Sequence, residues 1–250
     1  MTWEFAQCLD IGGRSEQQDR CSILDHQGRS LLVLADGMGG GAHGAMASDI
    51  VIETAHAHFH SAQNAHPELF LTQLCLESHH KIMKLGHDHD TSSGSTAVLL
   101  YLVNNNEAYW AHVGDSRLYH FQDQRLLFHT NDHSLIKLQQ QHQAFGKFAR
   151  HHQLYMCLGG NNDVIPEINA VRIQGNDLFL LCSDGFWNEI TPDEIPQQLA
   201  LPGSLQYHAD MLIRSAIERG GKNADNISLV LARHQPDKGL PGLLKRLFRK

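Results

Sequence analysis

Long apolar runs, paired cysteines and an excess of basic charge are all missing from this 250-residue chain, and each absence removes a class of function. No apolar stretch nears the ~18 residues that a membrane-crossing helix needs. The N-terminal MTWEFAQCLD lacks the basic segment and apolar core of a secretory leader, so none is expected. The five cysteines (Cys8, Cys21, Cys75, Cys157 and Cys182) are odd in number and form no CxxC pair. That pattern argues against a disulfide framework or a zinc ribbon and predicts mostly buried thiols in a reducing, cytoplasmic setting. Lys and Arg total 20 against 27 Asp and Glu, a net charge of -7 that gives nucleic acid no overall electrostatic footprint. No Pro/Gly/Ser-rich linker and no repeat of fixed period interrupts the chain. One domain over residues 1–235 is the expectation, followed by a basic tail at 236–250.

Histidine, in contrast, is abundant: 19 residues predict a net charge that moves steeply below about pH 6.5. Four short apolar runs also end at, or begin from, an aspartate flanked by Gly, Ser or Asn. They are LLVLADGMGGG around Asp36, YWAHVGDSR around Asp115, LFLLCSDGFWN around Asp184 and NADNISLVLA around Asp225. Apolar runs bounded by turn residues read as buried strands. An aspartate before glycine is by itself an ordinary turn residue, but four acids repeatedly set at strand ends are hard to explain by packing. Carboxylates gathered on a rigid sheet repel one another unless a cation neutralises them, and oxygen-only donors favour hard divalent ions such as Mg or Mn.

The pattern along the chain predicts strands at Trp3 to Asp10, Cys21 to Asp25 and Leu31 to Ala35, then a glycine-rich loop. Two helices follow, one carrying Ala47, Ile50, Val51, Thr54, Ala55 and Phe59 and the other Leu71, Leu74, Ile82 and Leu85. Thr96 to Val103, Glu107 to Val113, Arg117 to Phe121 and Leu126 to Thr130 suggest a four-strand antiparallel meander. The polar stretch from Ser134 to Tyr155 suggests a helix and then a mobile surface segment. Strands at Glu167 to Arg172 and Leu178 to Cys182, an amphipathic helix over Ala209 to Ile217 and a last strand from Ile227 to Ala232 complete the set. Strands flanked by paired helices imply a layered α+β sandwich.

Three motifs have rival readings. Gly39 to Gly44 satisfies GxGxxG, as a dinucleotide-binding turn would. A dinucleotide unit needs a second parallel strand after its helix, however, and here a second helix follows. Arg14 and Asp19, in RSEQQD after the first strand, pair a guanidinium suited to phosphate with a carboxylate. Thr130 to Ser134 reads as a helix cap rather than a catalytic group. The histidines at 56, 58 and 60 and the run His87 to Asp90 read as solvated polar positions rather than metal ligands.

The ordered set RSEQQD, ADGMGGG, GDSR, NDHS, CLGG, SDGFWN and ADN resembles the metal-dependent type 2C Ser/Thr protein phosphatase family, above all its short bacterial members. The resemblance spans Trp3 to Arg233. It implies a four-layer α/β/β/α sandwich, two antiparallel sheets packed together between helix pairs. It also implies that Asp36 bridges two Mn2+ or Mg2+ ions, that the Gly37 carbonyl binds the first, and that Asp184 and Asp225 hold the second. Asp19 would act through water, Asp115 would bind a third, weaker ion, and Arg14 would hold the phosphate. Gly114 and Asn226 would support these loops.

The implied reaction is hydrolysis of phosphoserine and phosphothreonine in proteins by a bridging hydroxide. The implied partners are phosphoproteins, including a Ser/Thr kinase or its substrates, and the enzyme would be a monomer. Two departures from the family pattern motivate an alternative, a phosphoprotein-binding regulator with weak or no catalysis. Gln18 replaces an acidic residue, and Asn188 stands where an aspartate commonly assists the third ion. Met38 replaces a histidine found in some eukaryotic relatives. A flap-like segment at 139–155 and a tail that could touch an anionic membrane complete the expectations.

Overall fold

The computed structural model describes residues 2–39, 42–61, 66–137 and 153–235. The basic tail and nearly all of the flap-like segment lie outside them. Among the described residues, the strands and the helices bounded on both sides follow in the order β1 (Thr2–Asp10), β2 (Asp19–His26), β3 (Arg29–Met38), α1 (Ala42–Phe59), α2 (Pro67–His89), β4 (Gly94–Ser95), β5 (Ala97–Val103), β6 (Glu107–Val113), β7 (Arg117–Gln122), β8 (Arg125–His129), β9 (Glu167–Arg172), β10 (Asp177–Cys182), α3 (Asp184–Trp187), α4 (Glu194–Leu199), α5 (Leu205–Gly220) and β11 (Ile227–Gln235).

Period-two alternation divides the strands between two environments. In β3, Leu32 and Leu34 point between the sheets, where they meet Leu100, Phe179, Leu181 and Val230. Leu31, Val33 and Ala35 face the other way and bury against Val51, Phe59 and Leu71 of α1 and α2. On the opposite side Leu180, Leu229 and Leu231 meet Ala209, Leu212 and Ile213 of α5. Three apolar layers therefore separate four layers of secondary structure, the α/β/β/α arrangement expected. One sheet runs β1-β11-β10-β7-β8 and the other β2-β3-β5-β6-β9, with β4 paired to β3. All pairings are antiparallel.

The expected four-strand meander is corrected. β5 and β6 pair in one sheet and β7 and β8 in the other. The chain changes sheet at Gly114-Asp115-Ser116, where Gly114 adopts φ +107° and no L side chain fits readily. A crossing of this kind leaves the hydrophobic alternation of each strand unchanged, so the sequence pattern did not record it.

Residues 135–137 are helical, as expected of the stretch from Ser134, and Ser134 Oγ accepts the Lys137 N–H at 3.4 Å; Ser134 also forms an isolated antiparallel bridge with Leu154. Asp132, read as part of a cap, instead takes the Arg117 guanidinium at 2.7 and 2.8 Å.

Candidate metal centre

Antiparallel pairing sets the end of one strand beside the start of its neighbour, which gathers residues distant in sequence at one end of the sandwich. Asp19 opens β2 directly opposite Asp36 near the end of β3. In the other sheet Cys182, the last residue of β10, pairs with Arg117, the first of β7, and with Leu229 near the start of β11. Asp184 just after β10, Asp115 just before β7 and Asp225 just before β11 therefore share that end.

The electrostatics record the convergence. The Asp36 carboxyl is pushed well above the usual carboxylate range, first by burial and then by the charges of Asp19, Asp184, Asp115 and Asp225. Asp19 is raised to about 7, chiefly by burial, with Asp184 and Asp225 adding to it. Asp115 is likewise raised to about 7 by burial, then by Asp184 and Asp132. Both Asp19 oxygens are buried with no well-formed hydrogen bond, and the nearby Ser183 and Ser228 hydroxyls offset the burial only in part. A poorly satisfied buried carboxylate is costly, and an oxygen-only acidic set fits a hard divalent cation. The set is not closed around one point, because the aspartate oxygens stand further apart than 4.8 Å as a group among the described residues. Like charges repel, and Arg14 holds one Asp225 oxygen at 2.7 Å.

Supporting contacts fix the loops. Asn226 donates from Nδ2 to the carbonyls of Ile11 and Glu16 and accepts from the Gln18 N–H, while its own N–H reaches Asp225 Oδ1. It thus ties the Arg14 loop to the Asp225 loop. Gly37 permits a close approach: a Cβ there would lie 2.0 Å from the Gly44 carbonyl oxygen of α1. Gln18, the departure from the family pattern, uses its carbonyl to accept the Gly37 N–H at 3.1 Å, and its amide donates to Glu16. Asn188 is exposed at the end of α3.

Several contributors were not singled out from the sequence. Thr96 Oγ1 accepts the Asp36 N–H at 2.9 Å and bonds Ser116 Oγ at 2.7 Å, which links the Asp36 strand to the Asp115 turn. Trp187 donates from Nε1 to the Asp115 carbonyl at 2.9 Å, and Arg117 lies 3.6 Å over its ring. His112 and His133, both buried, and the half-buried Glu167 form a separate cluster. The Trp and Arg in SDGFWN and GDSR carried a weak signal, since both lie in motifs already noted; Thr96 carried none. Of the surface histidines, His56 bonds Ser22 and His58 pairs with Glu77.

The sequence profile of the protein phosphatase 2C family matches residues 11–219. Protein phosphatase PhpP of Streptococcus pneumoniae is 29% identical over 239 residues, covering 91% of this chain and 96% of that protein. Among solved structures, the serine/threonine phosphatase of S. agalactiae superposes with a TM-score of 0.81 at 27% identity, over 94% of this chain and 100% of that one. The catalytic domain of the serine/threonine protein phosphatase PstP, solved in complex with two manganese ions, gives 0.79 at 26% identity, over 94% and 99%; the PstP of Mycobacterium tuberculosis is also similar in sequence. A profile match over most of the length, together with the shared fold, leaves one assignment: the chain belongs to the protein phosphatase 2C family.

Proposed function

We propose that the chain hydrolyses phosphoserine and phosphothreonine in proteins at a centre of two Mn2+ or Mg2+ ions. Asp36 would be shared between the ions, the Gly37 carbonyl would serve the first, Asp184 and Asp225 would serve the second, and Asp19 would act through water. Asp115 would serve a third, weaker ion. One observation carries the reading: five aspartates from separate strand ends share one end of the sandwich, and the carboxyls of Asp19, Asp36 and Asp115 are raised by burial and then by neighbouring carboxylates, Asp184 acting on all three. The two manganese ions of the PstP catalytic domain support it. When bound, such a pair neutralises the carboxylates and supplies a water acidic enough to attack phosphorus near neutral pH.

The protein groups do the rest. Arg14 is exposed and paired with Asp225, and its fork would hold two phosphate oxygens, leaving the Asp225 carboxylate available as a metal ligand. Met38 has no proton to give, so the departing serine or threonine oxygen is protonated by solvent. Residues flanking the phosphate have room in a cavity of about 900 Å³ beside Met38 and Gly39, which Gly94, Leu154 and Cys157 also line. The substrates are phosphoproteins, including a Ser/Thr kinase or its targets.

Phosphate release from phospho-Ser, phospho-Thr and phospho-Tyr peptides, measured with Mn, with Mg and with chelator, tests the proposal. Turnover is expected only with metal, and preferentially on Ser and Thr. Asp36→Asn is expected to lose more than the ~100-fold that removing an outer-shell partner costs. Undiminished turnover by that variant would reject the assignment.

A further inference from the structure

Among the described residues, one group brings three metal-capable side chains within 4.8 Å of one another: His112, His133 and Glu167. The hydrogen bonding of His133 speaks against a cation there. Its Nδ1 accepts the Gly114 N–H at 3.1 Å, so in a neutral ring the proton sits on Nε2. That nitrogen faces Glu167 Oε2 at 3.9 Å. A metal on Nε2 would have to displace the proton while Nδ1 kept accepting, which asks for an imidazolate.

The main chain of His133 extends the same contact. Its N–H donates to the Gly114 carbonyl at 2.8 Å and its carbonyl accepts the Tyr155 N–H at 2.9 Å. The Leu135 N–H reaches the Gln153 carbonyl at 2.8 Å, and Ser134 bridges Leu154. His133 therefore engages both backbone groups of Gly114, the residue immediately before Asp115, and joins them to residues 153–155. Gly114 has little slack, since at φ +107° a Cβ would stand 2.7 Å from Thr96 Cγ2. From the far side Trp187 holds the Asp115 carbonyl, and Arg117 and Asp132 brace Trp187. The Asp115 main chain is gripped from two directions.

We propose that His133 is a positioning residue: by fixing both backbone groups of Gly114 it aims the Asp115 carboxylate at the third, weakly held divalent cation. The inference rests on the reading of Asp115 given under the proposed function. Burial, against the opposing charge of Asp132, holds the ring's pKa down to about 4, so Nδ1 stays an acceptor near neutral pH.

Two amides separate the role from mere packing. Asn at 133 can put its carbonyl oxygen where Nδ1 sits, whereas Gln carries its oxygen one atom further out. Calorimetric titration of the full chain with Mn2+ is paired with thermal unfolding and with kcat and KM on a phosphothreonine peptide. Wild type and His133→Asn are expected to bind a weak Mn equivalent beyond the tight ones. His133→Gln and Asp115→Asn are expected to weaken it by about 10-fold or more, the range for a lost outer-shell partner. The tight equivalents and KM should hold, and kcat at limiting Mn should fall.

Asn and Gln binding the weak equivalent alike, with Asp115→Asn losing it, would overturn the positioning role alone. An unaffected weak equivalent in Asp115→Asn, or none in wild type, would overturn the reading of Asp115 and the inference with it. Loss of the tight equivalents or of folded protein in both amides would assign His133 to folding. Stoichiometric Zn2+ binding abolished by His112→Ala would make the cluster a metal site and refute the hydrogen-bonded account.

Discussion

Removing a carboxylate from the centre should stabilise the metal-free protein while destroying its activity. Asp19 is the sharpest case, because it is 1% exposed and neither of its oxygens has a well-formed hydrogen bond, with the Ser183 and Ser228 hydroxyls offsetting its burial only in part. Its folded-state pKa is raised from 3.8 to about 7. The folded chain thus binds a proton more tightly than the unfolded one, and stability falls as pH rises from about 4 to about 7, then levels off. At 1.36 kcal/mol per pH unit, the stretch from pH 5 to pH 7 corresponds to roughly 2–3 kcal/mol. Asp19→Asn has no charge to lose, so it should escape this decline; its buried amide remains poorly satisfied, which offsets part of the gain at any one pH.

For a domain of this size 1 kcal/mol moves Tm by about 2–4 °C. Wild type in chelator should therefore lose about 5–10 °C more than Asp19→Asn between pH 5 and pH 8, by scanning calorimetry. The histidines that titrate in this window are common to both proteins and cancel in the difference. Adding Mn2+ should stabilise wild type strongly and the variant less. Parallel pH dependence of the two proteins in chelator would show that no buried charge crowding exists at Asp19.

Three further outcomes follow from particular contacts. Arg14→Ala removes an ion pair whose side chains are 59% and 39% exposed, so urea denaturation should shift by less than about 1 kcal/mol while KM for a phosphopeptide rises. Asp132→Ala leaves the half-buried Arg117 without its two-pronged partner and should cost about 3–5 kcal/mol; a midpoint within experimental error of wild type would contradict that. Thr96→Val keeps the side-chain shape but leaves the Asp36 N–H and the Ser116 hydroxyl short of a partner. It should cost about 1–3 kcal/mol in the same assay and lower turnover at limiting Mn.

Much of the centre was legible because strands announce their own ends. Asp36, Asp184 and Asp225 each adjoin an apolar run that a turn residue terminates, and antiparallel pairing turns ends in sequence into neighbours in space. The long elements were legible for a related reason: α1, α2 and α5 each bury a stripe broad enough to show its period. The four-residue α3 and six-residue α4 are too short to show one. Nor could local pattern reveal that the chain changes sheet between β6 and β7, since each strand alternates equally well in either sheet.

The histidines show the same limit from the side of charge. Composition predicts that they titrate together below about pH 6.5, yet burial opposes the charging of His79, His112 and His133, holding His133 down to about 4 and His112 to about 3. A count of ionisable groups therefore overstates the charge that this fold acquires on mild acidification.

What hid the second tier of the centre is its chemistry. Asp36 and Asp115 advertise themselves because a charge at the end of an apolar run has few structural excuses. Thr96, Ser116, Trp187 and His133 serve those acids through one hydrogen bond or two, often to backbone groups that every residue carries. A threonine opening a buried strand is already accounted for by β-propensity, and a histidine in Asp-His-Ser by a turn or cap. Such residues become readable only when the partner is known. The order of discovery in this protein thus follows cost: groups expensive to bury mark the site in sequence, and the inexpensive groups that aim them emerge with the fold.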